Sequence, residues 1–243
     1  MKQTLHFLAA IALFSMCTSD ATAQKNDTIH FPGERHFKNV RQITFGGDNA
    51  EAYFSYDGKY LVYQKSNEKE GIMCDQIWMG KIPEPGQPFQ PKLVSTGTGR
   101  TTCAFFYPDG RHVIFGSTHL GAADCPPSVD RAKYGNRYIW PIYESYDLFK
   151  ADTNGVIVER LTDHPGYDAE ATISPKGDMI VFTSMRDGDL ELYTMDINGK
   201  NVKRITHELG YDGGAWFSPD GKKIIWRTSR PKTPEEIADY KNL

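Results

Sequence analysis

Apolar side chains come in short bursts along this chain, and the same kind of turn precedes each one. The bursts are Leu61-Val62-Tyr63, Val113-Ile114-Phe115, Ile180-Val181-Phe182 and Ile224-Ile225-Trp226. β-Branched and aromatic runs of this length, bounded by turn residues, predict buried strands. The turns are Tyr56-Asp57-Gly58-Lys59, Pro108-Asp109-Gly110-Arg111, Pro175-Lys176-Gly177-Asp178 and Pro219-Asp220-Gly221-Lys222. Proline presets φ for such a turn and glycine accepts a positive φ. Another short strand is predicted upstream of each turn. It carries Ala52, Ala104, Ala171 or Ala215 six residues ahead of the turn glycine, and Phe54, Phe106, Ile173 or Phe217 four ahead. A third strand follows three of the bursts, at Gln76–Met79, Tyr146–Phe149 and Leu190–Met195, the last with clear polar/apolar alternation. Asn154-Gly155 and Asn198-Gly199 supply two-residue hairpin turns into a fourth strand.

The pattern is a repeat. The stretch Arg160–Phe182 is written again 44 residues later as Arg204–Trp226, without a gap. Arg, Thr, Gly-Tyr-Asp, Ala, Ser-Pro, Gly and Ile recur at matching positions, from Arg160/Arg204 to Ile180/Ile224. Four strands in a unit of about 40–45 residues is the blade of a β-propeller, so the fold class expected is all-β. Successive turn glycines lie 52, 67 and 44 residues apart; the long interval holds an insertion, Thr118–Tyr143, between the second and third strands of its blade. The expected organisation is a partial propeller over 40–230 with the insertion at 118–143, then a helical segment within 231–243. Val40–Phe45 reads as a fourth-type strand with no first three before it. Four blades leave open edges, so a six-bladed ring is expected to need roughly two further blades, the leading strand completing the last.

Composition places the chain among globular proteins: 39% of its 243 residues are hydrophobic and 12% aromatic. A formal charge of −3, with acidic and basic residues interleaved, excludes long-range attraction to nucleic acid or anionic lipid. Lys2, the apolar run Leu5–Met16 and Ala21-Thr22-Ala23 form an export signal cut after Ala23. That run is too short to span a membrane. A lipid anchor on Cys17 is the alternative, disfavoured by bulky Met16. Residues 24–39 are polar and aperiodic and are expected to be a mobile leader. Cys74, Cys103 and Cys125 remain after cleavage, with no C-x-x-C spacing. In an oxidising compartment a Cys103–Cys125 disulfide clasping the insertion is expected; three small buried thiols are the alternative.

Ser218-Pro-Asp-Gly-Lys222, with the following Ile-Ile-Trp and the preceding Arg204-Ile-Thr206, resembles the WD40-like PD40 repeat. The resemblance extends from Val40 to about Arg230. It implies the six-bladed propeller of the TolB family, periplasmic proteins that work with the Tol–Pal envelope system. The insertion has no place in the basic repeat.

Propeller sites form where loops entering the innermost strands converge on the axis. Nine residues before each turn glycine stand Asn49, Thr101, Asp168 and Asp212; seven before stand Glu51, Cys103, Glu170 and Gly214. These predict a polar rim at one mouth of the channel. Asp168 and Asp212, with Glu170 and Glu51, are oxygen ligands suited to Ca²⁺; the alternative is that Asp168 and Asp212 brace their loops through backbone amides. The insertion offers a second candidate surface, with His119, Arg131, Arg137, Tyr138, Trp140 and Tyr143. Aromatic rings with arginine suit a partner or a sugar ring, or else the rings pack on the blade flank.

Catalytic motifs are missing: there is no Gly-x-Ser-x-Gly, His-Glu-x-x-His, P-loop or dinucleotide fingerprint. Asp187-Gly188-Asp189-x-Glu191 runs straight into a strand and reads as a hairpin turn rather than a calcium loop. His112, His164 and His207 fall at turns and strand entries. The function expected is therefore an exported scaffold that binds protein or polysaccharide, with no cofactor and no nucleic-acid partner. The propeller domain of an exported hydrolase and a glycan-binding propeller are the alternatives.

Overall fold

The structure is a computed structural model and describes residues 29, 31–135, 137 and 139–242. The export signal, Cys17 and Tyr138 fall outside the described residues. Three antiparallel four-stranded sheets and one two-stranded sheet succeed one another along the chain. Blade 1 is β1 (Asp48–Phe54), β2 (Tyr60–Asn67), β3 (Ile72–Lys81) and β4 (Lys92–Leu93). Blade 2 is β5 (Thr101–Phe106), β6 (His112–Ser117), β7 (Asp147–Asp152) and β8 (Ile157–Arg160). Blade 3 is β9 (Asp168–Ile173), β10 (Met179–Ser184), β11 (Glu191–Asp196) and β12 (Lys203–Arg204). The inner half of a fourth follows as β13 (Asp212–Phe217) and β14 (Ile224–Thr228), then a helix, α1 (Pro234–Asn242). Each complete sheet runs in chain order from its innermost strand outward, the meander of a propeller blade.

The repeated residues each have a structural reason. The turn glycines 58, 110, 177 and 221 all lie at φ between 65° and 72°, the left-handed region where glycine avoids a side-chain clash. Ser55, Ser174 and Ser218 open three of the turns, and their hydroxyls accept backbone N–H groups from the far side. The Arg-x-Thr of the fourth strand is a clamp on the third. Arg160 Nη2 donates to Asp147 at 2.7 Å and Arg204 Nη2 to Glu191 at 2.6 Å. Thr162 and Thr206 hydroxyls take the N–H of Leu148 and Leu192, which the short fourth strands leave unpaired.

The core lies between blades. Val62, Ile77, Met79 and Val94 of blade 1 meet Ala104, Phe106, Val113 and Phe115 of blade 2. Ile114, Leu148 and Leu161 of blade 2 meet Ala171, Ile173, Ile180 and Phe182 of blade 3. Packing of one blade on the next thus explains both the inner-strand alanine and the large apolar residue two positions on. Ile225 shows the contrary case: its counterparts Val62, Ile114 and Val181 are buried against the following blade, and Ile225, with no following blade among the described residues, is 72% exposed.

One expectation changes at the ends. Val40–Phe45 is not a regular strand; only Arg41 makes a bridge, and its guanidinium donates to Pro83 O at 3.0 Å. A fourth-type strand needs a third strand to pair with, and the β13–β14 sheet has none among the described residues. The helix is present as α1, opened by a reciprocal cap in which Thr233 and Glu236 side chains each take the other's N–H.

The insertion leaves β6 and returns at β7, with a single short turn of 3₁₀ helix at Arg131–Tyr134. Its disulfide joins Cys125 to Cys74 on β3, not to Cys103. Cys103 stays free on the innermost strand of blade 2, where it faces the propeller axis, while the insertion crosses toward the outer strands of blade 1. Tyr143 OH donates to Pro127 O at 2.6 Å and Gly99 N to Ala123 O at 2.7 Å, pinning the segment further.

Candidate functional site

Each innermost strand carries one β-bulge, at the same place in all four blades. The bulged residue in each is the one seven before the turn glycine: Glu51 (φ 49°), Cys103 (φ 48°), Glu170 (φ 55°) and Gly214 (φ 59°). A left-handed backbone at three non-glycine residues stores strain, and such strain collects at functional sites. Here it turns the side chains of Glu51, Cys103 and Glu170 toward the axis, with the backbone of Gly214 at the fourth position.

They line the wall of one cavity of about 520 Å³. Its floor is aromatic. The residues two positions beyond the bulges include Tyr53, Phe105 and Trp216, whose rings meet edge to face at 4.9–6.0 Å across the axis. The mouth is rimmed by Arg100, Trp140, Tyr143, Tyr211 and Arg227. Trp140 and Tyr143 bring the insertion over the bowl, and Trp140 lies edge-on to Tyr211 at 5.8 Å.

Glu170 is the best-anchored polar group in the bowl. Its Oε2 accepts from Tyr211 OH at 2.9 Å, Thr183 Oγ1 at 2.9 Å and Gly214 N at 2.8 Å. A Cβ at position 213 would sit 2.3 Å from that oxygen and from the Tyr211 hydroxyl, so only glycine leaves room for the pair. On the opposite wall Gln64 Oε1 accepts the Cys103 N–H at 3.0 Å. Asp75 pairs with Arg100 at 3.1 Å.

Charge in the bowl is unevenly matched. Among the described residues neither Glu51 nor Glu170 has an ion-pair partner. Burial pushes the Glu51 carboxyl above its ordinary value of 4.5; the Cys103 thiol opposes this by a hydrogen bond, and Glu170 and Asp75 add to the rise. Burial also pushes the Cys103 thiol well up. A carboxyl raised on folding penalises the folded state above its folded value, and the penalty vanishes below 4.5. Glu51 still touches solvent, which screens the penalty, so Glu51→Gln is expected to raise the midpoint of urea unfolding only slightly at pH 7 and to leave it unchanged near pH 3.

The sequence-predicted residues separate into three groups. Glu51, Thr101 and Glu170 line the bowl, as do Trp140 and Tyr143 from the insertion. Asn49, Asp168 and Asp212 do not. Asp168 takes Arg186 Nη2 on both oxygens at 3.0–3.1 Å, and Asp212 takes Arg230 Nη2 on both at 2.8 Å plus Trp226 Nε1. Both aspartates are buried braces, held by arginines eighteen residues on rather than by the backbone amides expected. Asn49 donates to Gly46 O within its own loop. His119 packs its ring on Phe149 at 4.4 Å and bonds Ser117, and burial lowers its pKa. Arg131 is exposed on the insertion, and Arg137 reaches Asp239 of α1 at 3.1 Å. Sequence reasoning missed Tyr53, Tyr146, Tyr167, Tyr211 and Trp216. Their signal was present for Tyr167 and Tyr211 in the repeated Gly-Tyr-Asp, and for Tyr53 and Trp216 in their shared distance from the turn glycine.

Sheets meandering outward from a common axis, with a bowl walled by their innermost strands, define a β-propeller. Residues 143–241 match the family described as PD40, TolB beta propeller domain. The structure is similar to that of TolB from Acinetobacter baumannii, at 21% identity and a TM-score of 0.56, over 77% of this chain and 39% of that one. Similar too are a chain of a nidogen/laminin complex (12% identity, TM-score 0.52, 75% and 57% covered) and the hydrazine synthase of Kuenenia stuttgartiensis (16%, 0.52, 74% and 29%). The chain thus spans well under two thirds of the length of these three proteins. No curated protein matches it by sequence. These likenesses establish a TolB-like propeller fold.

Proposed function

We propose that this chain is an exported, periplasmic binding scaffold whose axial bowl receives part of a protein partner, with no catalytic centre of its own. The carrying observation is the bowl itself: the bulge residues of every blade, three of them strained, wall one cavity. The TolB-like fold supports a scaffold at the level of class. The chemistry within reach points the same way. Ser117 and His119 are hydrogen-bonded at 2.9 Å, but Ser117 is buried and the imidazole is packed on Phe149, so no substrate reaches the hydroxyl. No cofactor is invoked. A Ca²⁺ ion at Asp168 or Asp212 would have to displace a guanidinium from a buried carboxylate. Among the described residues no helix is long and apolar enough to cross a membrane. A saccharide is the second reading, favoured by the indole rings of Trp140 and Trp216 on the bowl.

Photo-crosslinkers placed at Thr102 or Arg227 inside the bowl, and at Lys203 on the outer edge, test the scaffold in cells. An envelope protein joined from the two bowl positions and not from Lys203 is the expected result; crosslinks from Lys203 alone would overturn it. Osmotic-shock release of a mature chain beginning near Gln24 tests the compartment. Trp140 is half-exposed, so Trp140→Ala should weaken capture by about tenfold while lowering the melting temperature little. A large drop in melting temperature would assign Trp140 to the blade flank instead.

A further inference from the structure

Two tyrosines of the bowl are enclosed except where they meet the cavity, and no protein group bonds their hydroxyls among the described residues. Tyr146 and Tyr167 are each 4% exposed and both line the cavity. Their rings meet at 5.4 Å, yet neither hydroxyl has a hydrogen-bond partner among the described residues. A hydroxyl that opens onto a cavity from an otherwise enclosed ring, with no protein partner, is free to bond a group bound there. Their surroundings fix which kind. The Tyr167 hydroxyl lies near Glu170 and Cys103, and that of Tyr146 near Arg100, Asp75 and Cys103. Burial raises the pKa of both, so they remain phenols that can accept as well as donate.

Three independent features then coincide. Glu51 and Glu170 are carboxylates without a cation. Three protein donors crowd on Glu170 Oε2, so Oε1 is left for something else. The walls are electron-rich rings, Tyr53, Tyr146, Tyr167, Tyr211 and Trp216. Neither guanidinium on the bowl pairs with Glu51 or Glu170: Arg100 is held by Asp75, and Arg227 lies at the rim over the Tyr211 ring at 5.9 Å. A group that only donates hydrogen bonds, carries positive charge and is attracted to ring faces satisfies all of these at once. A sugar hydroxyl satisfies the phenols but leaves the carboxylates uncompensated.

We propose that the bowl is a receptor for a protonated amine or guanidinium, presented by a lysine or arginine side chain of the protein partner. Glu51 and Glu170 Oε1 take the charge, and Tyr146 and Tyr167 accept further N–H groups. This rests on the scaffold reading above and names the chemistry that its bowl recognises.

The test titrates the full chain with acetyl-Gly-Gly-Lys-Gly-Gly-amide, following calorimetric heat and tryptophan fluorescence. The same peptide with norleucine or acetyl-lysine in place of lysine, cellobiose and calcium chloride are the comparison arms. The lysine peptide is expected to saturate the protein, with both neutral peptides weaker by tenfold or more. Glu51→Gln and Glu170→Gln should each weaken the lysine peptide by about tenfold. Glu170 also braces Gly214, so Glu51→Gln, which loses no backbone partner, keeps the test valid if Glu170→Gln misfolds. Equal binding of the norleucine peptide, binding of cellobiose or calcium alone, or indifference to Glu51→Gln would overturn the proposal. If the lysine peptide fails while crosslinking from the bowl still captures a protein, the amine reading falls and the scaffold stands. If the peptide binds and crosslinking captures none, the partner falls and the amine site stands.

Discussion

Replacing Asp212 by alanine is expected to destabilise the protein by about 3–5 kcal/mol, the combined cost of removing a buried acceptor shared by a guanidinium and an indole N–H. Its carboxylate is 0% exposed and is the common acceptor for both Arg230 contacts and the Trp226 indole N–H. Alanine would leave the Trp226 indole N–H without its acceptor and Arg230 with only Glu208 as an ion-pair partner among the described residues. For a chain of this size the loss corresponds to a fall in melting temperature of roughly 6–20 °C. Asp168→Ala should behave alike, since Arg186 lies against the rings of Phe182 and Tyr193 at 4.9–5.3 Å, is 14% exposed and has little water to turn to. The double replacement Asp212→Leu/Arg230→Met should recover a large share, because an apolar pair removes the buried charge altogether. Exposed Asp163→Ala is the control and should stay within about 0.5 kcal/mol. Calorimetric melting of the four variants checks this; a loss below about 1 kcal/mol for Asp212→Ala would mean the aspartate is not a brace.

The second large effect belongs to the Cys74–Cys125 disulfide. It closes a loop with a sequence separation of 51, for which chain entropy gives about 4 kcal/mol of stabilisation. Cys125→Ser together with Cys74→Ser is therefore expected to lower the unfolding free energy by about 2–4 kcal/mol. The bridge also ties blade 1 to the insertion whose other end places Trp140 and Tyr143 over the bowl. Its removal should loosen partner capture beyond the stability loss, whereas Cys103→Ser should leave the fold's stability nearly unchanged. Peptide mapping under non-reducing conditions settles the pairing: a Cys74–Cys125 crosslinked peptide with Cys103 alkylated is the result expected. A Cys103–Cys125 peptide would contradict the geometry of the insertion.

The fold was legible because its repeated residues are repeated for local reasons. A turn glycine at φ near 70°, an alanine where inner strands crowd, and an arginine-threonine clamp each carry their own physical requirement into the sequence. The bowl was legible only in part. Glu51, Cys103 and Glu170 share a left-handed backbone that nothing in their composition announces; only Gly214, at the same position, hints at it. Asp168 and Asp212 stand out as a repeated acid, and the arginine eighteen residues on repeats with them, so the ion pair was written in the sequence although the position suggested a rim. The disulfide was misjudged because nearness in blade 2 favoured Cys103, whereas the insertion's path toward β3 exists only once blades are packed side by side. Val40–Phe45 has strand-forming residues, but a strand is defined by its neighbour.

Cys103 supplies the most direct test of the central claim, that an open bowl walled by unpaired carboxylates lies on the propeller axis. With Cys74 and Cys125 locked together, it is the free thiol of the described chain. Its modification rate by a cationic thiosulfonate carrying trimethylammonium is to be compared with that of an anionic one carrying sulfonate. The cationic reagent should react faster by tenfold or more, and Glu51→Gln/Glu170→Gln should bring the two rates together. Equal rates of the two reagents in the wild type, measured at a pH high enough to ionise the Cys103 thiol, would contradict it.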